Sequence, residues 1–149
     1  MLSLENQILN ISETKLLASK FCKSLKVGDV LLLKGDLGVG KTTFSKFIIR
    51  SLYKLGNLTE PSSITSPTFP IMLSYELENY EIHHYDLYRI KSLKELDELD
   101  FFENIQNSIT LIEWPELLIN LPFKNKHYLI NFDIFSETKR VINIKYFEK

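Results

Sequence analysis

Gly35-Asp36-Leu37-Gly38-Val39-Gly40-Lys41-Thr42 is a complete G-x-x-x-x-G-K-[ST] phosphate loop. Its residue types encode a mechanism. Glycines let backbone N–H groups converge on phosphate oxygens without Cβ clashes. From a solvent-facing loop, Lys41 can reach β- and γ-phosphates, and Thr42 can offer its hydroxyl to Mg²⁺. The flanks agree. Val30-Leu31-Leu32-Leu33 has the length and composition of a buried strand, and Thr43 to Leu55 carries Phe44, Phe47, Ile48, Leu52 and Leu55 at helical spacing. A phosphate held here would sit on a helix N-terminus, where unpaired N–H groups and about half a positive charge favour anions.

Working outward, residues 12–25 read as a helix capped near Ser12, with Glu13 in its first turn and Leu16, Leu17, Phe21 and Leu25 facing inward. Gly28-Asp29 turns into the strand before the loop, and the helix after the loop ends near Gly56. The stretch from Glu60 to Pro70 is rich in hydroxyls and prolines and reads as a structured loop. Ile71 to Leu77 and Tyr80 to Leu87 read as a hairpin around Glu78-Asn79. Leu93 to Ile105 reads as an acidic helix. Ile109-Thr110-Leu111-Ile112 is a buried strand ending in Glu113-Trp114-Pro115, where the proline stops a central strand. Tyr128, Ile130, Phe132 and Ile134, then Ile142, Ile144 and Tyr146, alternate as a second hairpin. Together these predict an α/β fold, a P-loop NTPase-like three-layer sandwich with a mixed, mainly parallel sheet and antiparallel additions. A single domain over 1–149 accommodates them.

Composition bounds the rest. With 44% hydrophobic and 25% charged residues the chain is ordinary for a globular protein. A net charge of −1 gives no footprint for autonomous nucleic-acid binding. Cys22 is the only cysteine and lies among apolar neighbours, so it reads as a buried structural thiol in a reducing compartment. No run approaches a membrane span and no basic leader precedes one, so a cytoplasmic protein without membrane contact is expected.

A phosphate loop needs an acid on the metal side, usually at the end of a neighbouring apolar strand. Glu113 and Asp86 both qualify, and the more apolar run before Glu113 favours it. His83 and His84 fall on opposite faces of a strand, with no third ligand nearby to suggest zinc. Arg89 reads either as an arginine finger or as a salt-bridge partner of the acidic 95–103 segment.

Four blocks then occur in order: Gly35 to Thr43, Thr65-Ser66-Pro67-Thr68-Phe69, His84-Tyr85-Asp86-Leu87-Tyr88-Arg89, and Ile112-Glu113-Trp114-Pro115-Glu116. Together they resemble the TsaE (YjeE) family, small P-loop ATPases of bacterial tRNA threonylcarbamoyladenosine (t6A) biosynthesis. The resemblance spans about residues 10–145 and departs at Val39, where the family usually has alanine. It implies that Gly38, Val39, Gly40, Lys41, Thr42 and Thr43 bind the nucleotide phosphates, with Thr14 at the base side. It implies Mg²⁺ held by Thr42 and Glu113, and catalysis by Lys41, Asp86 and Glu113. Ser66 and Thr68 would lie in a switch-like loop near the γ-phosphate, and Trp114 would report on nucleotide or partner. The implied activity is slow ATP hydrolysis, stimulated by two related transferase subunits (TsaB and TsaD type). That complex, which contacts the tRNA, modifies adenosine 37 of tRNAs reading codons that begin with A. Two rival readings are weaker. A small-molecule kinase needs an arginine-rich lid, whereas Arg50, Arg89 and Arg140 are far apart in sequence. A GTPase needs Asn-Lys-x-Asp, and Asn125-Lys126-His127-Tyr128 lacks the aspartate.

Overall fold

The strand that feeds the phosphate loop, β2 (Val30–Lys34), lies at the centre of a seven-stranded sheet. In the computed structural model, which describes residues 3–148, Val30 to Leu33 are fully buried. An unbroken apolar run suits this place because both faces of the strand are covered. On one side β2 pairs in parallel with β5 (Ser108–Glu113), and β5 with β4 (Glu81–Asp86). On the other it pairs in parallel with β6 (His127–Ile134). Antiparallel strands complete the sheet: β3 (Met72–Glu76) on β4, β7 (Arg140–Phe147) on β6, and β1 (Leu4–Leu9) on β7. The order is therefore β1-β7-β6-β2-β5-β4-β3.

Period-two alternation sends side chains to two apolar clusters. Leu31, Leu33, Ile109, Leu111, Tyr128 and Ile130 pack with Ala18 and Phe21 of α1 (Ile11–Cys22) and with Phe44, Ile48 and Leu52 of α2 (Lys41–Leu55). Val30, Leu32, Tyr85 and Ile112 pack instead with Leu96 of α3 (Leu93–Asp97), Phe101 of α4 (Phe101–Asn104) and Leu118. Phe21 meets Tyr128 edge-on at 4.7 Å between ring centres, locking α1 to β6.

Several local expectations change. Helix α1 is capped by Asn10, not near Ser12. The Asn10 side chain accepts the Glu13 N–H at 2.9 Å, and Glu13 reaches back to the Asn10 N–H at 3.4 Å, a capping box. The helix stops at Cys22, and Leu16 is 62% exposed rather than inward. The acidic segment is not one helix. Asp100 adopts φ 53° and breaks it into α3 and α4. Ile134 lies exposed at the end of β6. Strand β1 was not foreseen, because Leu4-Glu5-Asn6-Gln7 lacks alternation. It joins the sheet edge by pairing with β7, with Leu4 and Leu9 packed against the apolar cluster and an irregularity between Leu4 and Gln7 where Asn6 takes φ 49°. Among the described residues, no helix is long and apolar enough to cross a membrane.

Candidate nucleotide-binding site

Between the end of β2 and the start of α2 the chain makes a tight loop that only glycine allows at two points. A Cβ on Gly35 would stand 2.7 Å from Val39 Cγ1 and 2.8 Å from the Phe132 carbonyl oxygen. Gly40, the N-cap of α2, has φ 121° and no side-chain cap. The first N–H groups of α2 therefore carry no capping side chain and remain available to an anion. Lys41 departs from the expected solvent-facing lysine, being only 5% exposed. Its ammonium donates to the Gly35 carbonyl and, at 3.2 Å, to that of Asp36, and lies 3.6 Å from the centre of the Trp114 ring. Burial pulls its pKa down, while Glu113, Glu116, Asp86 and Asp36 push it up.

Two acids flank the loop for a topological reason. Asp86 and Glu113 are register partners at the carboxyl ends of the parallel strands β4 and β5, and Glu113 stands opposite Leu33 of β2. Ligand crevices in open α/β sheets form at this end of the strands. The Thr42 hydroxyl donates to Glu113 Oε1 at 2.7 Å, and His84 Nε2 donates to Oε2 at 2.6 Å. Asp86 accepts from the Thr68 hydroxyl at 3.2 Å and from the Tyr88 N–H at 3.0 Å. With Thr68 committed to Asp86, Ser66 supplies the hydrogen of the 2.7 Å contact between the two hydroxyls. Thr42, Ser66, Thr68, Asp86, Glu113 and Trp114 thus line one open concavity with Lys41 and the loop glycines.

Thr14 lies apart from that concavity. It lines an adjoining one with Asn10, Val39 and Arg140, and the two share Gly38, Gly40 and Thr43. Its hydroxyl is spent on the Asn10 carbonyl at 2.7 Å.

Three residues were not foreseen in these roles. His84 is fully buried behind Glu113. Its spacing from Asp86, two residues along one strand, already placed both on one face. Arg89 makes no salt bridge to the acidic segment among the described residues. It donates to the carbonyls of Thr68, at 2.8 Å, and Phe69. Arg140, 101 residues from Val39, donates to the Val39 carbonyl at 2.9 Å. No sequence signal announces that contact.

The oxygens of Thr42, Glu113 and Asp86 are hard donors. Mg²⁺ favours such a partial set, completed by water and substrate phosphates. Among the described residues no group of three or more His, Cys, Asp or Glu could hold a metal on its own.

A family model described as threonylcarbamoyl adenosine biosynthesis protein TsaE matches residues 8–142. The chain belongs to the TsaE family. The TsaE match runs from β1 into β7 and so includes every site residue above. Proteins named tRNA threonylcarbamoyladenosine biosynthesis protein TsaE are similar along most of their length. That of Rickettsia bellii is 39% identical over 97% of this chain and 96% of its own. That of Rickettsia felis is 40% identical over 91% and 75%, and that of Borreliella burgdorferi 33% over 87% and 87%. The crystal structure of Bacillus subtilis YdiB superposes with a TM-score of 0.62 at 26% identity, covering 97% of this chain and 87% of that one.

Proposed function

We propose that this TsaE-family chain is the Mg²⁺-dependent ATPase of tRNA t6A formation, built as a P-loop NTPase-like three-layer sandwich and working in the cytoplasm. It would act with two related transferase subunits of the TsaB and TsaD type, which carry the tRNA and modify adenosine 37 in tRNAs reading codons that begin with A. The observation that carries the reading is the Thr42–Glu113–His84 chain beside the phosphate loop. A hydroxyl whose proton is committed to a carboxylate keeps its oxygen lone pairs for a cation.

The residues take the following parts. Lys41 leaves its own loop carbonyls and Trp114 to neutralise β- and γ-phosphate charge. Thr42 would hold Mg²⁺ through its hydroxyl, and Glu113 would supply negative charge beside it while fixing Thr42. When bound, Mg²⁺ would neutralise phosphate charge and order the polyphosphate. Asp86, tied to Thr68, orients the attacking water, and Ser66-Pro67-Thr68 senses the γ-phosphate. Thr14 and its neighbours face the base side.

A kinase is disfavoured by the three arginines. Arg50 lies 3.7 Å from Glu60, and Arg89 and Arg140 bond to backbone carbonyls, so an arginine lid would need those contacts broken. Partner dependence is supported by the rim. Leu37 and Phe69 are almost fully exposed beside the concavity, and Tyr88, packed on Trp114, is exposed as well. Such apolar side chains suit a protein contact. A charge-neutralising group supplied by a partner can raise turnover by about 10³–10⁵.

The test is ATP hydrolysis by the pure protein, with and without the two transferase subunits and tRNA. Slow turnover alone and a large stimulation in the complex are expected. Fast turnover unchanged by partners and tRNA would overturn the reading.

A further inference from the structure

We propose that Arg140 is a positioning residue for the phosphate loop. By holding the Val39 carbonyl, it orients the Val39–Gly40 peptide so that the Gly40 N–H faces the bound phosphate. The inference rests on the reading of residues 35–42 as a phosphate cradle.

Arg140 opens β7 opposite Ile134 of β6, at the base of the turn between these strands. Its Nη1 donates to the carbonyls of Ser136 and Lys139, both at 3.1 Å. The guanidinium is planar, so these contacts also fix the direction of Nε, which donates to Val39 O at 2.9 Å. Val39 is pinned by other contacts as well. Its side chain is buried beneath Gly35, and its N–H donates to the Asp36 carbonyl at 3.2 Å.

The consequence follows from peptide geometry. A trans peptide points its carbonyl and the next N–H in opposite directions. With the Val39 carbonyl turned to Arg140, the Gly40 N–H points to the other side of the loop. Gly40, at φ 121°, has no Cβ to resist rotation. Left unheld, the peptide could turn over through ψ of Val39 and φ of Gly40. An oxygen would then face the phosphate in place of a donor. Arg140 blocks that rotation with a charge-assisted bond from outside the loop.

Two other roles are separable. Arg140 could serve only as a nearby positive charge, in which case lysine would replace it. It could serve only the adjoining concavity, which it also lines, in which case the loop would be indifferent to its loss.

The experiment is ADP titration by calorimetry of the wild type, Arg140→Lys and Arg140→Ala, with the Gly40 amide followed by ¹⁵N NMR. Arg140→Ala should lose about tenfold in ADP affinity. Arg140→Lys, which keeps the charge without the planar fork, should fall between. At saturating ADP, the Gly40 amide should shift less in both variants than in the wild type. Wild-type affinity in a folded Arg140→Ala protein would overturn the proposal. So would Arg140→Lys equal to wild type while alanine is weak, or an unchanged Gly40 shift in both variants. If Arg140→Ala does not fold, Arg140→Lys and its Gly40 shift decide. Absence of ADP binding by the wild type would overturn the nucleotide reading, and this inference with it.

Discussion

Thr42 and Glu113 lie 71 residues apart in sequence, and their side chains meet at 2.7 Å, hydroxyl to carboxylate. The other carboxylate oxygen is held by a fully buried histidine, His84. Glu113 is therefore fixed from both sides, and it fixes Thr42 in turn. Groups of this kind act by aiming a ligand as much as by binding.

Glu113→Gln should keep the shape of this chain while removing its charge. Loss of a group that holds a metal ligand in place costs about 10- to 100-fold in metal affinity or activity. Nucleotide affinity should become less dependent on Mg²⁺, and hydrolysis should fall by that order. Asp86→Asn should reduce turnover with a smaller effect on ADP binding. Titrations of ADP with and without Mg²⁺ check both, and the opposite pattern would exchange the two roles.

Lys41→Ala should weaken ADP binding by about 1.5–3 kcal/mol, the cost of a charge-assisted contact. Trp114 gives a second readout, because the Lys41 ammonium lies over its ring at 3.6 Å. ADP should draw the ammonium away and change Trp114 fluorescence, and Trp114 is the only tryptophan. A wild-type fluorescence response in the alanine variant would show that Lys41 does not make that movement.

Arg89→Ala should loosen the loop from Thr65 to Phe69, since Arg89 donates to two of its carbonyls. Each lost bond costs about 0.5–1.5 kcal/mol, so the open population of the loop should rise about threefold or more. The ¹⁵N order parameters of Thr68 and Phe69 should therefore fall below their wild-type values, with little change in global melting. Unchanged order parameters would mean that the loop is held by Thr68 and Asp86 alone.

Cys22 predicts an alkaline effect. Burial pushes its thiol from the usual 9.0 up to about 12, against a smaller lowering by Ser51. A raised folded-state pKa contributes stability that is complete below the unfolded value and lost as pH climbs to the folded one. Thermal midpoints should thus fall between about pH 9 and 12, and less steeply in Cys22→Ala. At about pH 8 the native thiol should resist iodoacetamide. Rapid alkylation of the folded protein would contradict this.

Legibility in the sequence tracked how local each cause is. The strand–loop–helix unit was readable because apolar run, glycines and helical spacing are contiguous from Val30 to Leu55. Both hairpins followed from alternation, and the strand-end acids from the proline after Trp114 and the run before Glu113. Strand β1 was not readable, since Gln7, Ile8 and Leu9 gain their place from β7 rather than from their own pattern. Nor was the break at Asp100, where packing of Leu96 and Phe101 on the sheet overrides helical continuity. The contacts of Arg89 and Arg140 were not readable because their partners are backbone carbonyls, which carry no sequence signature.

A ribosome delivers β1 first and β7 last of the seven strands, yet the sheet seats them side by side. Until Arg140 to Phe147 emerges, β1 has no neighbour to pair with and β6 keeps a bare edge. Val39 meanwhile lacks its outside anchor. The nascent chain thus displays a finished phosphate-loop sequence long before it owns a finished cradle. On the proposed reading, a chain released before Arg140 lacks the bond that holds the Val39 carbonyl and binds nucleotide more weakly, so full capture of nucleotide becomes a late event of maturation.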